Sequence, residues 1–326
     1  MCPVCLKFFV FENLGIFGIL SKSSILVNDT QTPTGRLPNQ TLYKSLFLRT
    51  PNSLNLTRPT VHEGSKAIVL VNSALKEIDM RDTIRDTWAN PAFSQLVKNK
   101  MVSVVFLVGT GNVSDLVRKE LATGDDILQV DVSESYANLV YKVLAAYLWI
   151  HDNYPEKFVL KIDSDTVILM DKIEPLLVNS TTKSMQCYAI TKSEPLRCVT
   201  DRWYVPQSVY PAQYFPDYCS GPAYLLSPAA LNAILQAAPK EQVFEIEDAF
   251  FTGVLGGKVG VKIVGHRGIW KEEKNSQPCV DNRGTVIAYP VHNASTKRLA
   301  QAWNHIQNLR CRWIFEHFLL TYFYGD

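Results

Sequence analysis

From Ala67 onward, short β-branched runs alternate with stretches of helical period. Ala67 to Val71, Met101 to Val108 and Ile127 to Val130 read as strands, and Asp79 to Trp88 and Ser114 to Leu121 as helices between them. Leu139, Val140, Val143, Leu144, Tyr147 and Leu148 form one helical face, which Pro155 ends before a further apolar run, Phe158 to Asp163. Ser227 and Pro228 suit the N-cap and first turn of a helix reaching Ala238. Strands in alternation with helices predict an α/β fold with a mainly parallel sheet and ligands at the carboxyl ends of its strands.

The stretch ahead of this pattern differs. Asn28 to Thr60 is rich in Thr, Asn, Pro and Ser and lacks periodicity, so residues 28–60 read as a linker or stem, with the folded domain at 61–326. Phe8 to Leu20 is apolar apart from Glu12 and Asn13, yet shorter than the ~20 residues of a spanning helix. Within 1–27 a signal anchor, a signal peptide or an ordinary buried helix all stay open.

The whole chain has 326 residues, 47% of them hydrophobic, ample for a full core. A formal charge of +2, from 33 basic and 31 acidic residues with no dense basic block, gives no support for a nucleic-acid partner. Six N-x-Ser/Thr acceptors, at Asn28, Asn39, Asn55, Asn112, Asn179 and Asn293, exceed the roughly two expected by chance and point to a lumenal, glycosylated chain. Five cysteines follow the N-terminal pair; in an oxidising lumen most should pair, Cys187 with Cys198 closing the easiest local loop and one thiol left over.

The candidate chemistry begins at the end of the Phe158 run. Asp163 and Asp165, spaced i and i+2 beyond a strand, can hold one divalent cation and leave positions free for a diphosphate. An EF-hand is excluded, because Val167 and Ile168 stand where a ligand and a glycine are required. No phosphate-cradling glycine loop is present either, so a bound nucleotide needs another source of positive charge. Trp203, Tyr204, Tyr210, Tyr214, Phe215 and Tyr218 crowd between prolines, as core packing or as the wall of a carbohydrate site. Glu247 and Asp248 lie side by side among apolar residues, either as a general base with a raised pKa or as a helix-start or salt-bridge pair.

Taken together, Arg81-Asp-Thr-Ile-Arg85-Asp-Thr-Trp88, Phe106-Leu-Val-Gly109, Ser135 to Leu139 with Lys142, Phe158 to Asp165, Tyr218-Cys-Ser-Gly221 and Glu247-Asp248 resemble the β1,3-galactosyltransferase family, over about residues 66 to 310. That family includes β1,3-N-acetylglucosaminyltransferases and is related to the Fringe enzymes. The resemblance implies a GT-A fold, with a nucleotide-binding Rossmann-like half and an acceptor-binding C-terminal half. It also implies a Golgi type II membrane protein anchored through its N-terminal segment, and Mn²⁺-dependent, inverting transfer from UDP-galactose or a UDP-N-acetylhexosamine to a glycan acceptor. On it, Arg81, Arg85, Lys142, Asp163 and Ser164 would face the donor, and Asp163, Asp165 and His292 the metal, with His266 the rival histidine. Asp248 would be the base, and Trp203, Tyr218, Gly221 and Glu247 would meet the acceptor. Pro222 departs from the family's usual glycine. A catalytically silent lumenal carbohydrate-binding or folding-helper protein is the alternative of a different class, and a homo-oligomer is compatible with either.

Overall fold

The computed structural model describes residues 37–266, 268–270, 286–291 and 293–308. The N-terminal segment 1–27, Asn28, His292, Cys279 and Cys311 lie outside them.

A seven-stranded sheet has the order β3-β2-β1-β4-β7-β6-β8. Its strands are β1 Ala67–Asn72, β2 Val102–Thr110, β3 Ile127–Ser133, β4 Phe158–Asp163, β6 Ser184–Ile190, β7 Tyr218–Leu226 and β8 Lys262–Gly265. β5 Thr166–Ile168 and β9 Ala288–Pro290 form a separate antiparallel pair. The first four strands of the order run parallel, whereas β7 is antiparallel to both β4 and β6. The predicted strands are all present, each within a few residues of its expected bounds.

The near-continuous apolar strands are explained by burial on both faces. Ile68, Leu70 and Val159 belong to one core, with residues of α6 Leu139–Asn153 and α7 Pro228–Ala237. Val69, Val71, Leu160 and Ile162 belong to the other, with Ile84 of α3 Ile78–Asp86 and Leu299, Trp303 and Ile306 of α9 Thr296–Asn308. The cap read from the sequence at Ser227 is made, accepting from the Ala230 amide ahead of α7; Ser114 likewise accepts from the Val117 amide ahead of α5 Asp115–Thr123. Asp79, where the helix was expected to begin, sits in the first turn of α3, whose N-cap is Glu77.

The chain steps from β1 out to β2 and β3, then returns through α6 to β4 on the opposite side of β1. Such a reversal parts the connections at the carboxyl ends of β1 and β4, where α/β sheets hold their ligands. Asn72 and Asp163, the last residues of these strands, are register partners there.

The expected stem is corrected from its middle onward. α1 Gln40–Leu46 and α2 Pro51–Leu54 lie within it, and Tyr43, Leu46 and Leu54 are fully buried in the first core. Tyr43 Oη donates to the Ala238 carbonyl at 2.7 Å, and Gln40 makes two hydrogen bonds to the Val243 backbone. The Leu56 amide donates to the Gln129 carbonyl, and Thr57 Oγ1 both donates to the Ile127 carbonyl and accepts from the Gln129 amide. Residues 56 and 57 thereby cover the otherwise open edge of β3. No local periodicity could disclose this, because every partner lies about 70 or more positions away.

Tyr43→Ala is therefore expected to destabilise the protein by about 3–5 kcal/mol, the range for emptying a buried aromatic site. A chain begun at Val61 should lose its cooperative thermal transition. Calorimetry of both proteins checks this; an unchanged transition in the shortened chain would return the segment to the status of a passive linker.

Candidate active site

One cleft of about 1060 Å³ opens at the carboxyl ends of β1 and β4. Lys142, Asp163, Ser164, Asp165, Trp203, Tyr218, Gly221, Glu247, Asp248 and Asn293 line it, so most of the sequence-derived site is brought to one place. Asn72, Ser73, Glu134, Tyr136, Lys161 and Arg202 join them without having been anticipated.

The first wall is built by β4 and the turn beyond it. Asp163 Oδ1 accepts from Lys161 Nζ at 2.7 Å and from Asn72 Nδ2 at 3.2 Å. The Ser164 amide donates to the Asn72 carbonyl, and the Val291 amide to the Asp165 carbonyl at 2.8 Å, so the turn is pinned on both sides. Burial, with the negative charge of Asp163 added to it, pushes the Asp165 carboxyl up to about 6. Two carboxylates held together out of water disfavour ionisation unless a cation joins them, and their oxygens suit a hard divalent ion. Among the described residues no third His, Cys, Asp or Glu converges on this pair. His266 stands apart from the cleft, its Nδ1 accepting from the Gly268 amide.

On the same side, Lys142 Nζ donates to Glu134 Oε1 at 2.8 Å and to the Ser73 carbonyl at 3.0 Å. Burial lowers its pKa, against the pull of Glu134.

A second wall comes from β7 and the corner at Glu247 and Asp248. Asp248 is the N-cap of a π-helix, Ala249–Leu255, and its Oδ1 accepts from the Ala249 amide at 2.8 Å. Burial raises its pKa, against the Lys161 ammonium. The two readings of the Glu247-Asp248 pair thus coincide: Asp248 caps a helix and still lines the cleft, while Glu247 pairs with Lys161 at 3.5 Å. π-turns inside helices concentrate at functional sites. Glu247, only 4% exposed, accepts from Tyr224 Oη, which also hydrogen-bonds Tyr147 Oη at 2.7 Å. Burial lifts the Glu247 carboxyl to about 7, with Lys161 opposing and Asp248 and Asp163 adding to the rise.

The aromatic stretch divides between core and cleft. Phe215 stacks on Phe244 in the core while its edge reaches the cleft, and Tyr218 Oη meets Ser193 Oγ at 3.3 Å. Trp203 stays 52% exposed at the rim, where its Nε1 donates to Tyr136 Oη at 2.8 Å. The guanidinium of Arg202 covers the Tyr136 ring at 4.0 Å.

Arg81 and Arg85 do not line the cleft. Fully buried Arg81 pairs with both carboxylate oxygens of Glu120 and donates to Ser73 Oγ and to the carbonyls of Ala74 and Leu75. Arg85 forks onto Asp126 at 2.8 and 2.9 Å, with Asp82 and Glu120 beside it. Both guanidinium groups are spent on protein acceptors; Arg81 shapes the cleft by fastening the loop after β1.

The disulfide joins Cys187 to Cys219 across β6 and β7, correcting the expected Cys187–Cys198 bridge. The sheet brings Cys219 alongside β6, and Cys198 is disulfide-bonded in its own right. Among the acceptor asparagines, Asn39, Asn112, Asn179 and Asn293 are exposed. Asn55 is not available, since its amide nitrogen and oxygen are both buried without a partner, which leaves no room for a glycan.

A mainly parallel sheet that opens at its reversal point onto a cleft lined by Asp163, Asp165 and Asp248 is the α/β architecture of a GT-A glycosyltransferase. A family model described as Galactosyltransferase matches residues 79–267. Human (Homo sapiens) β-1,3-galactosyltransferase 1 is 28% identical over 254 residues, 75% of this chain and 76% of that protein. Human β-1,3-galactosyltransferase 5 is 30% identical over 256 residues, 74% of this chain and 79% of that protein. Among solved structures, the apo form of the bifunctional glycosyltransferase WbbM aligns with a TM-score of 0.43 at 13% identity, over 80% of this chain and 52% of that one. The chain belongs to the galactosyltransferase family, among the β-1,3-galactosyltransferases, and is a glycosyltransferase.

Two outcomes test this geometry. Arg81→Ala should cost about 3–5 kcal/mol in denaturant titrations, because it leaves Glu120 with Arg85 alone and removes the donor that ties down Ser73, Ala74 and Leu75. For Glu247, a folded-state pKa raised from 4.5 to about 7 contributes stability that is complete below about 4.5 and lost as pH rises through 7. Glu247→Gln has no such proton to lose, so its melting temperature should gain on that of the wild type across this window. Parallel melting curves with pH would place the carboxyl in a solvated setting instead.

Proposed function

We propose that this protein transfers galactose from UDP-galactose to a hydroxyl of a glycan acceptor, forming a β1,3 linkage with inversion at the anomeric carbon. The observation that carries the reading is the convergence of three carboxylates, Asp163, Asp165 and Asp248, on one cleft. The relatives' names support galactose as the sugar and β1,3 as the linkage.

Asp163 and Asp165 would hold a divalent cation such as Mn²⁺, with His292 as a third ligand. Val291 and Asn293, on either side of position 292, both line the cleft. A cation bound there would offset charge on the departing diphosphate. Lys142 and Ser164 stand on the same wall and would orient the donor.

Asp248 acts as general base. As the acceptor oxygen bonds to the anomeric carbon, the bond from that carbon to the diphosphate breaks, and the hydroxyl proton passes to the Asp248 carboxylate. One displacement inverts the centre, so no covalent intermediate is required. A pKa raised by burial makes Asp248 a stronger base than an exposed carboxylate. Trp203, Tyr218 and Gly221, on the base's side, would receive the acceptor sugar.

The Cys187–Cys219 disulfide and the exposed acceptor asparagines suit an oxidising compartment, and we assign the catalytic domain to the Golgi lumen. Among the described residues no helix is long and apolar enough to cross a membrane; the membrane anchor in this proposal is the apolar N-terminal stretch Phe8 to Leu20.

Incubating the protein with Mn²⁺, a panel of UDP-sugars and free acceptor sugars should give transfer from UDP-galactose that chelator abolishes. Asp165→Ala should lose metal-dependent UDP binding. Asp248→Asn should keep that binding and lose ~10²–10⁴-fold in turnover. Full turnover in excess chelator, or a near-normal rate in Asp248→Asn, refutes the corresponding assignment.

A further inference from the structure

Lys161 is a cation inside the sheet. It precedes Asp163 by two positions on β4, so the strand's period of two puts both on the face toward the first core. Its side chain is 1% exposed, and an ammonium so enclosed survives only if its donors are met. They are met from three separate elements. Asp163 Oδ1 on β4 lies at 2.7 Å, the Gly221 carbonyl on β7 at 2.8 Å, and Glu247 Oε2 beside the π-helix at 3.5 Å.

Gly221 makes this more than charge balance. The β4–β7 ladder pairs Ile162 with Ala223 and does not extend to Gly221, and the β6–β7 register shifts between Cys187 and Ala189. Gly221 is thereby left out of both ladders, and its carbonyl turns to Lys161. The amide of the same residue faces the Asp248 carboxylate and holds its pKa down against burial. A Cβ at this position would stand 3.1 Å from Asp248 Oδ2, closer than nearly all ordinary contacts. Lys161 thus reaches Asp248 through the two peptide groups flanking a single Cα, with no rotatable side chain between them.

We propose that Lys161 is a positioning residue that sets the separation of the two carboxylate walls, holding Asp163 directly and Asp248 through the Gly221 backbone. This rests on the assignment of Asp248 as base. Lys161 takes no part in proton transfer; it fixes where the proton acceptor stands relative to the donor-binding side.

Lys161→Met alone strands the carboxylates of Asp163 and Glu247, so the working variant is Lys161→Met/Glu247→Gln, compared with Glu247→Gln. Amide hydrogen exchange is read on the peptide containing Gly221, without substrate, beside steady-state kinetics. The Gly221 amide should exchange at least roughly tenfold faster in the double variant. kcat should fall ~10²-fold, the scale of a misplaced catalytic group, with KM for donor and acceptor within about threefold. Lys161→Arg, which keeps the charge but moves the nitrogen, should show the same signature at smaller amplitude, and decides the matter if the double variant does not fold. Exchange or kcat equal to that of the reference protein overturns the proposal, because Lys161 would then only neutralise Glu247. Should the wild type transfer no sugar at all, the proposed function fails, and the exchange comparison alone decides the positioning role.

Discussion

The cleft depends on β4 being unable to slip. β4 is registered from both sides, parallel to β1 along its whole length and antiparallel to β7 over Val159 to Ile162. A shift of one residue would turn Lys161 and Asp163 to the opposite face and send Leu160 and Ile162 into their places. Apolar side chains on two faces, drawn into two separate cores, make that shift costly. The placement of charge at the strand's end is therefore a by-product of hydrophobic patterning along its length, and β1, held in the same way, delivers Asn72 to the same point.

Much of this was legible in the sequence, for reasons that differ by residue. The strands announced themselves because a doubly covered strand is apolar at nearly every position, and Ser227-Pro228 because a helix start is a local event. Asp163, Asp165 and Asp248 were found because carboxylates next to apolar runs are chemically conspicuous. Lys161 carried the same signal, a charge amid Phe-Val-Leu and Ile, and could have been found by the same reasoning. Arg81 and Arg85 were misplaced because their partners Glu120 and Asp126 come from a different helix and loop, and nothing local distinguishes a guanidinium destined for a carboxylate from one destined for a ligand. Tyr43 escaped notice in the same way, since it meets Ala238 and Phe250, about two hundred residues further on.

These misreadings share a physical character. Arg81, Tyr43 and the Cys187–Cys219 bridge all join segments distant in sequence, and each fastens the surroundings of the cleft without entering it. Arg81 ties down Ser73 to Leu75 beside the cleft, Tyr43 bonds the carbonyl at the end of α7, and the disulfide locks β6 to β7. Residues that touch the ligand can be guessed from their chemistry, whereas residues that hold those residues are defined only by the fold.

The disulfide has a further effect through what it encircles. Cys187 and Cys219 are 32 positions apart, and the chain between them carries Ser193, Arg202, Trp203, Phe215 and Tyr218, most of the wall on the Asp248 side. That wall is a covalently closed ring mounted on two paired strands. The entropy of closing a ring rises only with the logarithm of its length, about 0.6 kcal/mol for each doubling. Its tip can lengthen, shorten or exchange residues at little thermodynamic expense while Gly221, Lys161 and the paired aspartates stay in register. The protein thus separates a floor fixed by strand register from a rim whose length the ring tolerates.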